Sequence, residues 1–326
     1  MYEENPCAKI QNLGKVVRAD ISRSLGKVLE NIYAKYNGYF GRFDQRWVGK
    51  TTLTANLGGL LAALGLRVLA IDADKQASLS KYYRLTTQPT TGMADVIQRG
   101  GLIQPNDIVQ TEIVGLDMIV SNLSEETESW LEKREDRLIM LKRGVRQPVI
   151  RDTYDVVLID TKGAAGQMQR TAAMAGDLMV SPLKPDAISF AEFHTGTMEM
   201  LDTINSMAED SGSTMFRSGP LSIVINCMNR TNNAKVLTEQ IYGSFREHPN
   251  VKLLDTKIPS ATAYELSRTL QKPAHLLDMP IKGQARGNTA YEVMHKLAFE
   301  LLPNLTNLWA GEPPQSEEEA LEAKSA

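Results

Sequence analysis

Cysteine is scarce: Cys7 and Cys227 are the two in a chain of 326 residues, far apart and in no metal-ligand spacing. That excludes a disulfide framework and a zinc site as organising principles, and it fits a reducing compartment. Histidine is also sparse, and His194, His248, His275 and His295 are scattered as surface or capping residues are. Aromatic residues make up 6% of the chain against 42% apolar overall, the balance of an Ala/Leu/Val-rich α/β core. There is no excess of positive charge, since the net charge is −3, so any nucleic-acid contact must come from a local patch. No apolar run approaches the ~20 residues that a bilayer requires, and no signal peptide is read at the start. The expectation is a cytoplasmic protein without membrane contact.

What is present is concentrated in Val48-Gly49-Lys50-Thr51-Thr52 and the apolar stretch to Leu64. A glycine, a lysine and two hydroxyl residues leading into a helix make the downstream half of a phosphate-binding loop. The helix N-terminus offers unpaired N–H groups to a phosphate, Lys50 reaches its outer oxygens, and Thr51 holds Mg²⁺. Two buried strands follow with acids at their ends: Arg67 to Asp74, carrying Asp72 and Asp74, and Tyr154 to Thr161, carrying Asp160. Strands and helices then alternate to about residue 302, which predicts a mostly parallel sheet with helices on both faces, the P-loop NTPase fold. Helices are expected near 51–64, 91–97, 124–145, 188–208, 234–246, 261–270 and 289–302. Strands are expected near 67–72, 116–121, 154–161, 178–181, 221–226 and 251–254, with Pro182 ending the one before it.

The order Gly-Lys-Thr-Thr, Ile-Asp-Ala-Asp-Lys-Gln-Ala-Ser (71–78) and Leu-Ile-Asp-Thr (158–161) resembles the ParA/Soj partition ATPases of the deviant Walker group. The resemblance spans roughly residues 45–302. It implies an ATP-dependent homodimer that binds DNA without reading sequence, associates with the nucleoid and is stimulated by a ParB-like activator, in partition or maintenance of a plasmid, chromosome or integrated element. It further implies that Asp160 supports Mg²⁺ through water, that Asp74 orients the attacking water, and that Asp72 supports Mg²⁺ or Lys50. Asn226 and Arg230 match the stretch that contacts adenine, and Pro259 a loop across the base. Arg268, Lys272, Lys282 and Arg286, with Lys296, become candidates for a DNA patch. The alternatives are a catalytically impaired nucleotide-binding or scaffold relative and a MinD-like membrane-cycling ATPase. The acidic run at 317–322 opposes the last, since anionic lipid would repel it.

One departure matters. The family reads Lys-Gly-Gly-Val-Gly-Lys-Thr, whereas this chain reads Gln45-Arg46-Trp47-Val48-Gly49-Lys50-Thr51. The signature lysine and both early glycines are missing, so the start of the loop reads as degenerate or frameshifted, and Arg42 or Arg46 is a non-equivalent substitute. Residues 38–47, where the strand feeding the loop belongs, carry glycines and arginines that break an apolar run. The domain expectation is an ATPase domain over 38–305, preceded by an extension over 1–37 and followed by an acidic, disordered tail over 306–326. The extension repeats apolar residues at helical steps with basic residues beside them, which suits a DNA or partner arm, a covering helix, or no selected structure.

Overall fold

The computed structural model describes residues 39–43 (backbone), 49–161, 166–212, 218–229, 231–281, 288–306 and 308–311. The extension at 1–37 lies outside these residues. Among them the strands β1 (Tyr39–Phe43), β2 (Val68–Ala73), β3 (Val109–Gln110), β4 (Leu116–Ile119), β5 (Val156–Thr161), β6 (Leu178–Leu183), β7 (Leu221–Met228) and β8 (Val251–Pro259) form one sheet. Its order is β3-β4-β2-β5-β1-β6-β7-β8, parallel throughout except for the β3–β4 pair at one edge. The helices are α1 (Lys50–Ala63), α2 (Met93–Gln98), α3 (Glu125–Glu132), α4 (Met140–Val145), α5 (Gln167–Ala175), α6 (Ala187–Phe193), α7 (Glu199–Ser211), α8 (Asn232–Phe245), α9 (Thr262–Leu270) and α10 (Ala290–Leu301), with shorter turns between some of them.

The two-residue period of a strand divides the core. Val68 and Ala70 of β2, with Val156 and Leu158 of β5, pack under α1 and α10. Leu69 and Ile71, with Val157 and Ile159, face the other way onto α2, α4 and α5. Both sets are buried, which is why these strands read as continuous apolar runs and not as alternating ones. A further cluster joins β6 and β7 to α7 and α8.

Four features correct the sequence expectations. Residues 39–43 do form a strand, and it lies in the middle of the sheet: Gly41 is in register with Leu158 of β5 and Leu178 of β6. Neighbours on both sides satisfy its backbone, and this overrides the glycine and arginine content that argued against a strand. Strand β6 runs through Pro182 to Leu183. Among the described residues it pairs with β1 at Leu178 and Met179, before Pro182. The expected helix over 124–145 is broken between Glu132 and Arg137. No apolar residue lies between Leu131 and Leu138, so that stretch has nothing to bury. The packed domain also continues past residue 305: Ala310 is buried, its N–H donates to His295 Nε2 at 2.9 Å, and Trp309 stacks on the same ring at 4.7 Å. The remainder of the acidic tail, 312–326, lies outside the described residues.

His275 and His295 are fully buried, not surface residues. Burial, and then the neighbouring His295, pushes His275 down to about 3. In the unfolded chain it titrates near ~6.5. Its contribution to stability is therefore complete above pH ~6.5 and is lost as pH falls toward 3, at up to about 1.4 kcal/mol per pH unit. Between pH 7 and 5, wild type should lose roughly 4–8 °C in melting temperature relative to a His275→Leu variant. A constant difference between the two proteins would show that His275 is not held neutral by the fold.

Candidate nucleotide-binding site

The site grows from the junction of the loop and α1. Gly49 caps the helix with φ 83°, a left-handed conformation that favours glycine. A Cβ there would also meet Asn226 Nδ2 at 2.6 Å, so Gly49 satisfies both a backbone and a packing requirement. From it α1 runs 14 residues with no acidic residue in its first turn, leaving the positive end of the helix dipole uncompensated. Lys50 is the first helical residue, and its side chain is almost fully buried.

Below this end lie the acids of β2 and β5. The sheet register sets Asp72 directly beside Asp160, and both are 0% exposed. Burial, and then the negative charge of Asp72, pushes Asp160 up to about 8, against the hydrogen-bonding Thr51 hydroxyl and the charge of Lys50. Thr54 Oγ1 donates to Asp160 Oδ1 at 3.4 Å, while Asp160 Oδ2 is buried without a hydrogen-bond partner. A buried carboxylate oxygen with no donor, beside a helix-terminal threonine hydroxyl, fits a hard divalent cation held mostly by phosphate oxygens and water.

Asp72 has a different surrounding. Its Oδ2 accepts from both the N–H and the hydroxyl of Ser80, each at 2.7 Å, and its Oδ1 accepts from Asp74 N–H at 3.1 Å. Burial raises its pKa to about 6, with the Ser80 hydroxyl acting against the shift. Asp72 thus anchors the loop after β2. Asp74 is 8% exposed at the start of that loop, where its Oδ1 accepts from Gln76 N–H at 3.0 Å.

On the other side of Gly49 opens a cavity of about 350 Å³, lined by Gly49, Thr52, Asn226, Pro259 and Tyr264 among others. The structure therefore brings Gly49, Thr52, Asn226 and Pro259 to the cavity lining, and Lys50, Thr51, Asp72 and Asp160 together at the end of α1. Pro259 closes β8, so it reaches the cavity from a strand end, although the sequence suggested a loop. Val48 and Arg230 lie outside the described residues. Cys227, Tyr264, Glu265 and Arg268 also line the cavity, and the sequence reading did not place any of them there. Arg268 had been grouped with the DNA candidates. It is exposed and also lines the cavity, while Lys282 and Arg286 lie outside the described residues. The missed signal was the 3.6-residue spacing of Tyr264, Glu265 and Arg268, which puts them on one side of α9.

A phosphate-binding helix end, an acid-tipped parallel strand beside its feeding strand, and an adjoining cavity define a P-loop nucleoside-triphosphate-binding domain. Residues 46–215 match the family described as an AAA domain. The chromosome partitioning protein ParA of Caulobacter vibrioides is 30% identical over 252 residues, covering 76% of this chain and 90% of the relative. The sporulation initiation inhibitor Soj of Bacillus subtilis is 26% identical over 264 residues, covering 79% and 94%. The structure of a Cyanothece McdA variant in complex with ATP superposes with a TM-score of 0.61 at 14% identity, over 72% of this chain and 88% of that one. The chain belongs to the family of ParA-type partition ATPases.

Proposed function

We propose that the protein is an ATP-driven partition factor for a plasmid, chromosome or integrated element: a homodimer on ATP and Mg²⁺ that binds DNA without sequence preference in the cytoplasm and answers to a ParB-like activator. The observation that carries this is the alignment of Gly49, Lys50 and Thr51 over the unpartnered Asp160 Oδ2, with the cavity at Asn226 and Pro259 beside it. Polyphosphate needs charge neutralisation and positioning more than covalent chemistry. Lys50 supplies the cation and the α1 N–H groups supply donors. Thr51 and Asp160 would hold Mg²⁺, which neutralises phosphate charge when bound. Asp74, at the head of a loop that Asp72 fixes, is the candidate for orienting water. Asn226 and Pro259 would border the base, together with Tyr264.

The loss of the signature lysine bears on hydrolysis more than on binding. In the family that lysine crosses the dimer interface to the partner's phosphates. A nucleotide-binding scaffold relative is therefore the second reading, favoured specifically by Gln45-Arg46-Trp47. The described helices include none long and apolar enough to cross a membrane.

The test is DNA binding measured with ATP and with ADP over a salt series. Affinity for unrelated duplexes should be equal, should require ATP, and should fall by roughly 10³-fold or more between 50 and 200 mM salt if about six phosphates are contacted. Lys272→Glu with Lys282→Glu and Arg286→Glu should abolish it while ATP affinity is kept. Arg268 is left out of that set because it lines the cavity. Salt-independent binding, or a strong preference for one sequence, would sink the reading.

A further inference from the structure

A buried hydrogen-bonded hub sits behind the phosphate site, and the site chemistry does not use it. Asn56 of α1, Tyr82 and Ser267 of α9 are each within 1% of complete burial, although their chain positions are 26 and 211 residues from Asn56. Asn56 Nδ2 donates to Thr52 O at 2.7 Å, to Tyr82 Oη at 3.1 Å and to Ser267 Oγ at 3.4 Å. Its Oδ1 accepts from Ala274 N–H at 2.5 Å. The Tyr82 and Ser267 hydroxyls hydrogen-bond each other, and Ser267 Oγ also donates to Tyr264 O at 2.8 Å. Four segments therefore converge on three polar side chains: the first turns of α1, the loop after β2, α9, and the turn at Ala274.

That loop is tied at both ends. At the acidic end Ser80 is held by Asp72, the neighbour of Asp160. At the far end the loop grips the C-terminus of α9. Lys81 O accepts from Gln271 Nε2 at 3.3 Å, and Arg84 Nε donates to Gln271 Oε1 at 3.1 Å. Gln271 is held at φ 54°, an uncommon conformation for a side-chain-bearing residue that persists only where its surroundings impose it. Packing is equally tight. A Cβ on Gly59 would stand 2.4 Å from Pro273 Cγ, so α1 and the turn after α9 touch through a glycine. Tyr83 Oη meanwhile donates to Ala55 O. Coupling between sites is carried by packed side chains and hydrogen-bond networks, and this segment joins the two sites through both.

We infer that Tyr82 and Ser267, held by Asn56, are positioning residues that transmit occupancy of the phosphate end to α9. The inference rests on the reading of Gly49–Thr51 as a polyphosphate site. Phosphate and metal arriving beside Asp160 adjoin the carboxylate that holds Ser80. Tyr82 is two residues further along and bonds directly to α9. Helix α9 carries Tyr264, Glu265 and Arg268 on the cavity wall and the exposed Leu266 and Leu270 on its outer side. It can thus report the state of the phosphate site both to the base cavity and to the outer surface.

The experiment must separate transmission from direct contact, because ATP could protect α9 simply by filling the cavity. Inorganic tripolyphosphate with Mg²⁺ has no base and isolates the phosphate end. Amide hydrogen exchange is measured for residues 263–274 in the full chain, with and without saturating Mg–tripolyphosphate. Wild type should show exchange in α9 altered by about 5-fold or more, the lower range of allosteric coupling factors. Tyr82→Phe and Ser267→Ala should bind tripolyphosphate and ATP within about twofold of wild type, with the α9 response reduced toward one. Both variants keep the Asn56–Thr52 bond, and Tyr82→Phe keeps the ring, so the fold should survive; matching melting curves check this. An unchanged α9 response in both variants overturns the inference. So does a wild-type α9 that ignores tripolyphosphate while α1 amides register its binding. A wild type that binds neither tripolyphosphate nor ATP, judged by calorimetry, overturns the polyphosphate reading itself and this inference with it.

Discussion

Lys50→Ala is expected to lower ATP affinity by about 10²–10³-fold, equivalent to roughly 3–4 kcal/mol. The side chain is 4% exposed and sits at the start of a helix whose dipole already favours anions. A triphosphate brought there leaves water behind, and each charge must find a partner in the protein or its metal. Removing Lys50 leaves the donors of the helix end but takes away its charge. There is a second consequence. The charge of Lys50 opposes the upward shift of Asp160, so its removal lets burial and Asp72 push that carboxyl further above about 8. Mg²⁺ must then displace a more firmly held proton from Asp160, so Mg²⁺ affinity should weaken in the same variant. Lys50→Arg should not restore either property, since a planar guanidinium cannot occupy the position of a compact ammonium. Calorimetric titration of ATP, with melting curves to confirm folding, measures the effect. Unchanged affinity in Lys50→Ala would place the nucleotide elsewhere.

Much of the floor of this site was legible in the chain because it is built from local pattern. A Gly-Lys-Thr-Thr run opening a helix, and Asp72 and Asp160 closing apolar strands, are each contained within a dozen residues, and the parallel sheet then brings them together. What was not legible depends on distant pairing. The strand at Tyr39–Phe43 has an unfavourable composition and is specified by β5 and β6 on either side. Ser80 gave no sign that it would hold Asp72, since serine in a loop is ordinary. Asn56 reads as a polar interruption of an apolar helix until Tyr82 and Ser267 arrive from positions far along the chain. Arg268 is the converse case. Its charge and the family resemblance made it a DNA candidate, and its charge gave no sign that an exposed arginine of α9 also lines the cavity.

Restoring the start of the loop is expected to give the largest gain of function. In the triple variant Gln45→Lys, Arg46→Gly and Trp47→Gly, ATP turnover in the presence of DNA and activator should rise by about 10²-fold or more. A cation supplied across an interface to transferring phosphate is worth about 10³–10⁵ in the best-studied phosphoryl-transfer systems. Glycines serve such loops because the backbone must approach the anion and take positive φ, where another residue costs about 1–3 kcal/mol. Gly49 already meets that demand, with φ 83° and no room for a Cβ against Asn226. Downstream of it, the helix end, the acid pair and the cavity are all in place, which is the arrangement of a working site. We propose that a local frameshift or substitution overwrote the first strand and the start of the loop, since gradual decay would have spread through the downstream elements as well. Replacing Gln45 alone should achieve less than the triple variant, because the lysine would still lack the glycines that let the chain bend toward phosphate. Phosphate release under single-turnover and steady-state conditions distinguishes the chemical step from dimer formation, and resequencing the gene checks the reading frame independently. If the unaltered protein hydrolyses ATP as fast as the triple variant, then Gln45-Arg46-Trp47 is a genuine variant loop, and the charge at the partner's phosphates must come from another residue of this chain.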